Sequence, residues 1–99
     1  MRRVFKLDIE VLFRILQAFE NNPRAKKTHL CAASRVRWDS FLRYLELLES
    51  HGYVASSKKN STYWLTAEGC AMRADVQKLL GRFDRLAGTN WLDNVVLVT

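Results

Sequence analysis

The chain has 99 residues, of which 48% are hydrophobic and 26% charged, and its formal net charge is +6. This length allows one domain with one modest core and excludes two. No stretch approaches the roughly 18 to 20 consecutive apolar residues that a membrane span needs, and the basic first residues lack a signal peptide's apolar segment. We therefore expect a cytoplasmic protein with no membrane partner.

The first third of the chain predicts two helices. Asp8 is a candidate N-cap for the first helix, which should end by residue 21 because Pro23 disfavours a helical residue before it. The basic connector, residues 24–27, could form a short edge strand. Thr28 is a candidate N-cap for the second helix, which runs to about Ser34.

A third helix is predicted from Trp38 to Ser50, and Gly52 suits the left-handed position that follows it. Helical spacing places one group of side chains on the core side, namely Phe41, Tyr44, Leu45 and Leu48. The opposite side carries Asp39, Arg43, Glu46 and Ser50. Two strands are then predicted at residues 53–57 and 62–65, around a polar tip at 58–61.

The last predicted helix begins after the cap residue Thr66 and runs from Ala67 to about Ala87. Its apolar positions step by four and three residues, as in a coiled-coil seam. A helix that packs on its own domain has the same pattern over three turns, but we favour a dimer seam because an apolar tail follows. The predicted dimer interface comprises Met72, Val76, Leu79, Phe83, Leu86 and Trp91.

Taken in order, these elements predict an α+β, mostly α fold: a winged helix-turn-helix with a C-terminal dimerisation helix and an apolar tail. Residues 1–66 would form the winged helix-turn-helix, and residues 67–99 the dimerisation helix and tail of the same single domain. From Asn21 to Thr66 there are eight basic and three acidic residues, whereas residues 67–99 hold four of each. This asymmetry favours double-stranded DNA as the partner.

Base edges in the major groove are read from the start of the third helix. The candidates for base contacts are Arg37, Asp39, Ser40 and Arg43, while Trp38 is expected to pack against the core. The candidates for phosphate contacts are Arg24, Lys26, Lys27, Arg35, Ser57, Lys58, Lys59 and Asn60. Asp39 and Glu46 on the presumed DNA face indicate either selectivity or a binding geometry that uses only the first turn of the helix. They also keep open an alternative, a protein–protein interaction module that does not bind DNA.

Several short stretches carry a family resemblance. They are Ile15-Leu16, Thr28 with Ala32-Ala33, the Tyr44-Leu45-Glu46-Leu47-Leu48 run, Gly52-Tyr53-Val54, and Tyr63-Trp64-Leu65-Thr66-Ala67-Glu68-Gly69. In this order, over about residues 9–69, the chain resembles the archaeal winged-helix DNA-binding proteins related to the Sso10a group. The resemblance implies a homodimer formed through the last helix that binds double-stranded DNA as a transcription regulator or as a chromatin-associated, nucleoid protein.

Two features depart from that family. The last helix, near twenty residues, is shorter than the long antiparallel coiled coil of the members that give the group its name. Arg37 also stands where relatives commonly have a serine that caps the recognition helix. Both departures concern how the dimer forms and how DNA is contacted rather than the fold.

The remaining reactive side chains predict no catalytic or metal chemistry. Cys31 and Cys70 are expected to be buried small hydrophobes, although they could bridge if the source is a hyperthermophile. His29 and Cys31 lack the further ligands that a tetrahedral metal site needs. A glycine-rich phosphate loop and a nucleophile with a base are both missing from the sequence. We therefore predict neither an enzyme, nor a cofactor, nor a small-molecule ligand.

Overall fold

The computed structural model describes residues 7–88, with side chains up to residue 83. Its elements are α1 (Ile9–Asn21), α2 (Lys27–Ser34), α3 (Trp38–Ser50), β1 (Val54–Ser57), β2 (Thr62–Leu65) and α4 (Ala67–Gly88). Mostly helical, with one two-stranded antiparallel sheet, this order confirms the predicted winged helix-turn-helix. The predictions for the Leu86 side chain, Trp91 and the tail lie outside the described residues.

Helix α1 begins where the sequence predicts, because Asp8 satisfies two backbone donors of its first turn. The Asp8 carboxylate accepts hydrogen bonds from the backbone N–H groups of Glu10 at 2.9 Å and Val11 at 3.3 Å. The backbone N–H of Asp8 in turn donates to the Tyr44 hydroxyl at 2.8 Å. The start of α1 is therefore fixed both by its own cap and by a side chain of α3.

Helix α2 begins at Lys27, so the prediction of Thr28 as its N-cap is wrong. Lys26 is the N-cap, in extended conformation, and its carbonyl accepts from the backbone N–H of Leu30 at 3.0 Å. The reason lies one residue earlier, where Ala25 forms an isolated antiparallel bridge with Tyr63 of β2. This single bridge is all that forms of the possible edge strand in the connector. It keeps the connector extended up to the first residue of α2.

Helix α3 has the predicted bounds, and the hairpin follows directly. Gly52 adopts φ +80°, the left-handed conformation that glycine accommodates without strain. Strands β1 and β2 pair from Val54 opposite Leu65 to Ser57 opposite Thr62. β1 therefore starts one residue after the predicted Tyr53. Such a shift is small, but it leaves the Tyr53 carbonyl free to accept from the backbone N–H of Thr66 at 3.0 Å.

One hydrophobic core lies between the helices and the base of the hairpin. It consists of Leu12, Ile15, Leu16, Ala18, Phe19, Leu30, Cys31, Phe41, Tyr44, Leu45, Leu48, Val54 and Val76. The α3 residues in this set are the four predicted for its core side, and the four predicted for the opposite side are exposed. The amphipathic pattern thus fixes which face of α3 is available to a partner.

Helix α4 is joined to the rest of the domain at its first three turns. Thr66 caps it as predicted: its hydroxyl accepts from the backbone N–H of Gly69 at 3.1 Å and donates to the Gly52 carbonyl at 2.7 Å. Further along, Arg73 Nε lies 3.2 Å from Glu20 Oε1 on α1. Arg73 Nη1 also donates to Gln17 Oε1 on α1 at 3.3 Å. These contacts hold α4 against α1.

The two cysteines lie in different environments and are both free thiols. Cys31 is buried as predicted, its thiol donates to the Val36 carbonyl at 3.1 Å, and burial raises its pKa. The prediction that Cys70 is buried is wrong, because it lies about 120° around the α4 axis from the buried Val76. Among the helices described, none is long and apolar enough to cross a membrane.

Candidate nucleic-acid interface

The first turn of α3 presents charged and polar side chains to solvent. Arg37 and Asp39 are exposed, and Arg37 Nε lies 3.5 Å from Asp39 Oδ1. Because these side chains are 85% and 67% exposed, water screens the ion pair and its strength is small. Arg37 can therefore leave Asp39 for a stronger anion such as a phosphate. Ser40 is half-buried beside them, and Arg43 is exposed one turn later.

Trp38 packs against the core through Phe41, as the sequence predicts, but much of its side chain remains exposed. Its side chain is 46% exposed, while the core position beneath it is filled by Phe41, which is fully buried. The two rings stack with centroids 6.2 Å apart and an interplanar angle of 20°. Trp38 therefore lies on top of the core, at the exposed start of α3.

Charge is distributed unevenly along α3. The basic residues Arg37 and Arg43 precede the acidic residues Glu46 and Glu49. Backbone N–H groups at the start of the helix also favour an anion there. Phosphate attraction is thus strongest at the N-terminal end of α3 and is opposed toward its C-terminal end.

Two cations of the connector lie over aromatic rings of β2. The Arg24 guanidinium carbon is 4.1 Å from the centroid of Trp64, and the Lys27 ammonium is 5.9 Å from that of Tyr63. Both distances lie within the range of cation–π attraction. Together with the Ala25–Tyr63 bridge, these contacts hold the basic connector against the hairpin. Sequence reasoning missed this arrangement, although two aromatic residues after a polar hairpin tip are its signal.

The wing, defined here as residues 54–65, is also attached to α3. Ser56 donates a hydrogen bond to Glu49 Oε2 at 3.2 Å. At the tip, the Ser57 hydroxyl accepts from the backbone N–H of Asn60 at 3.4 Å, so this predicted phosphate contact helps to form the turn. Lys58, Lys59 and Asn60 are exposed, as are the predicted phosphate contacts Lys26 and Arg35 elsewhere in the fold.

A cleft of 310 Å³ lies between the start of α2 and the outward side of α3. Its lining residues are Lys27, Leu42, Arg43, Leu45, Glu46 and Glu49. Opposite charges face each other there, which does not suit a single small anion. Among the described residues, His, Cys, Asp and Glu form no cluster of three or more that could hold a metal ion.

The predicted dimer interface divides into two parts in the structure. Val76 is only 8% exposed within the chain's own core, and Met72 is partly buried against that core. α4 uses this side to pack on its own domain. Leu79 and Phe83 continue the same apolar stripe and are 40% and 45% exposed. Leu79 and Phe83 are thus the part of the predicted interface that the chain's own core leaves most exposed.

Comparison with known proteins supports this architecture. The model of a winged helix-turn-helix family matches residues 6–82. The DNA-binding protein Sso10a-2 from Sulfolobus solfataricus has a similar structure, with a TM-score of 0.77 and 20% identity over 95% of this chain and 99% of that chain. No curated protein matches the chain by sequence.

Bacterial regulators share the fold. A MarR family transcriptional regulator from Silicibacter pomeroyi has a TM-score of 0.66 and 20% identity over 90% of this chain and 64% of that chain. For the reduced form of MarR from E. coli, the TM-score is 0.62 and the identity 23%, over 86% of this chain and 71% of that chain. At these identities the likeness establishes the arrangement of helices and wing.

Proposed function

The chain belongs to a winged helix-turn-helix family, and from this premise we propose that it binds double-stranded DNA, with α3 in the major groove and the wing on the neighbouring backbone. The carrying observation is the exposed start of α3 with Arg37, together with a wing that Ser56 attaches to Glu49 near the other end of the same helix. A fixed spacing between a groove-reading helix and phosphate-binding cations gives a protein one register on the duplex.

The proposed contacts follow the polarity of α3. Arg37, Asp39, Ser40 and Arg43 would face base edges, because the acidic half of the helix keeps its C-terminal end away from phosphates. Phosphate contacts are assigned to Lys26, Arg35, Lys58, Lys59 and Asn60, with Ser57 shaping the tip. Arg24 and Lys27 would act from their positions over the β2 rings, where they also hold the wing.

We further propose that the protein acts as a homodimer and as a transcription regulator or chromatin-associated protein. Leu79 and Phe83 expose apolar surface on α4, and a second copy would bury both. The similar structures agree in kind, since one is described as a DNA-binding protein and others as transcriptional regulators. Oligomeric state can be measured by multi-angle light scattering, where Phe83→Glu should reduce the mass of the particle from two chains to one.

The DNA proposal is tested by salt titration of binding to random-sequence duplex DNA. Wild type is compared with Lys58→Glu/Lys59→Glu and with a matched control, Arg14→Glu/Lys78→Glu, which reverses two exposed cations on α1 and α4. Each phosphate contact contributes about 0.9 to the slope of log K against log salt. Each chain carries two of these lysines, so in the wing variant we expect the slope to fall by about two per chain, and hence by about four for the proposed dimer. In the control it should stay unchanged.

Absence of binding near 50 mM salt, or equal slopes in the two variants, would contradict the proposal. The protein–protein interaction module would then be the better assignment. Its structural support is the acidic half of α3, where Glu46 and Glu49 are both exposed. A module of that kind should tolerate reversal of Lys58 and Lys59.

A further inference from the structure

Trp38 is the large apolar side chain at the start of the proposed recognition helix. It is the first residue of α3, it is 46% exposed, and it lies between the charged Arg37 and Asp39. Its ring stacks on the fully buried Phe41, so the core supports it from below. The chain thus holds a supported aromatic surface at the position from which recognition helices reach base edges.

We propose that Trp38 contacts the 5-methyl group of thymine in the major groove and gives the protein a preference for thymine at that position. This inference rests on the proposed DNA binding. The major-groove edges of the other bases present hydrogen-bond donors and acceptors, whereas thymine adds an apolar methyl group. The carbon surface of the indole ring cannot form hydrogen bonds with those donors and acceptors. It does gain free energy when it covers the thymine methyl group and removes it from water.

The neighbouring residues support an apolar role for Trp38. Arg37 and Arg43 offer the donors that guanine accepts, and Asp39 offers an acceptor for the cytosine amino group. Ser40 can serve either. These four polar side chains offer hydrogen-bonding groups, which the thymine methyl group cannot use. Trp38 supplies an apolar surface for that methyl group.

The test uses two random-sequence duplex libraries, amplified with either thymidine or deoxyuridine triphosphate and carrying different primer tags. The libraries have the same base pairs and differ in the thymine methyl groups. They are mixed in equal amounts, bound to limiting protein, and counted by quantitative PCR. We expect wild type to enrich the thymine library, by about fourfold for each methyl group that it contacts.

Trp38→Ala should bring the enrichment to one while retaining binding to both libraries, because the salt-dependent phosphate contacts are unchanged. Trp38→Phe should keep part of the preference, and Tyr53→Phe, an aromatic substitution outside the proposed DNA contacts, should keep all of it. Because Trp38 covers Phe41, Trp38→Ala lowers the stability, and binding is compared at a temperature at which both proteins are folded. Circular dichroism should show the wild-type helix content.

Two results would overturn the assignment in distinguishable ways. Equal binding of both libraries by wild type, or equal enrichment by wild type and Trp38→Ala, would refute the thymine contact while leaving DNA binding intact. Failure to bind either library would refute both the proposed DNA binding and the thymine contact. Trp38 would then be the anchor of a protein interface.

Discussion

The corner between the wing and α4 makes a sharp stability prediction at Gly69. A Cβ atom added there would overlap the backbone carbonyl oxygen of Tyr53 and lie 3.1 Å from Leu65 Cδ2. The Tyr53 oxygen cannot move away freely, because it accepts the hydrogen bond from the backbone N–H of Thr66. Gly69→Ala must therefore push α4 off the hairpin and lengthen the bond from Gly69 to the Thr66 hydroxyl.

The magnitude follows from three contributions. Overpacking costs about 1–3 kcal/mol, and weakening of the Thr66 cap costs about 1 kcal/mol. The higher helix propensity of alanine stabilises the variant by about 1 kcal/mol and offsets part of this loss. We expect the free energy of unfolding to fall by about 1–3 kcal/mol, which at about 4–8 °C per kcal/mol for a domain of this size lowers Tm by on the order of 10 °C.

Gly81 is the matched control on the same helix. An added Cβ there meets nothing within 4 Å, so Gly81→Ala should raise the free energy of unfolding by about 0.5–1 kcal/mol. Thermal and urea unfolding, followed by circular dichroism at one protein concentration, give both values. The reasoning would be refuted if Gly69→Ala were as stable as wild type, or if the two substitutions changed stability in the same direction.

Three further predictions concern single side chains. Asp8→Ala removes the acceptor at the start of α1 and should lower the free energy of unfolding by about 1 kcal/mol in urea; an unchanged midpoint would show that the cap contributes nothing. Iodoacetamide at pH 8 should modify Cys70 and spare Cys31 in the folded protein, because burial raises the Cys31 pKa and suppresses its thiolate; peptide mass spectrometry would contradict this if both reacted equally. Asp39→Asn releases Arg37 from its carboxylate partner and removes one negative charge, so affinity for random-sequence DNA, in which no base contact of Asp39 is selected, should rise a few-fold; an unchanged or lower affinity would contradict this.

Local rules predicted the elements whose signals are local. Asp8, Gly52 and Thr66 each act on backbone groups within a few residues of themselves, and they fix the start of α1, the end of α3 and the start of α4. The core side of α3 was likewise predictable, because helical periodicity alone determines which residues share a face. The wing was recognisable from its strand formers around a polar tip.

The errors arise where the outcome depends on a distant partner. Thr28 is not the N-cap of α2, because Ala25 pairs with Tyr63, which lies 35 positions after Thr28. This bridge determines where the helix begins. How much of Trp38 is exposed likewise depends on Phe41, which fills the core beneath it. A helical wheel gives no information about either competition, since both are decided by packing between elements.

The apolar stripe on α4 is a further case in which periodicity alone does not show which partner a residue packs against. It also links the two proposals, dimerisation and DNA binding. One apolar face serves two purposes: Val76 holds α4 to its own core, and Leu79 and Phe83 extend that face to solvent. In the proposed dimer, α4 separates each wing from the interface by its length from Thr66 to Leu79 and Phe83, about 20–26 Å at 1.5 Å per residue. Because Gly69 and Arg73 fix α4 to the hairpin and to α1, this helix would transmit the dimer geometry to α3 as a rigid element. The separation of DNA half-sites would then be set by contacts within each chain as much as by the interface itself.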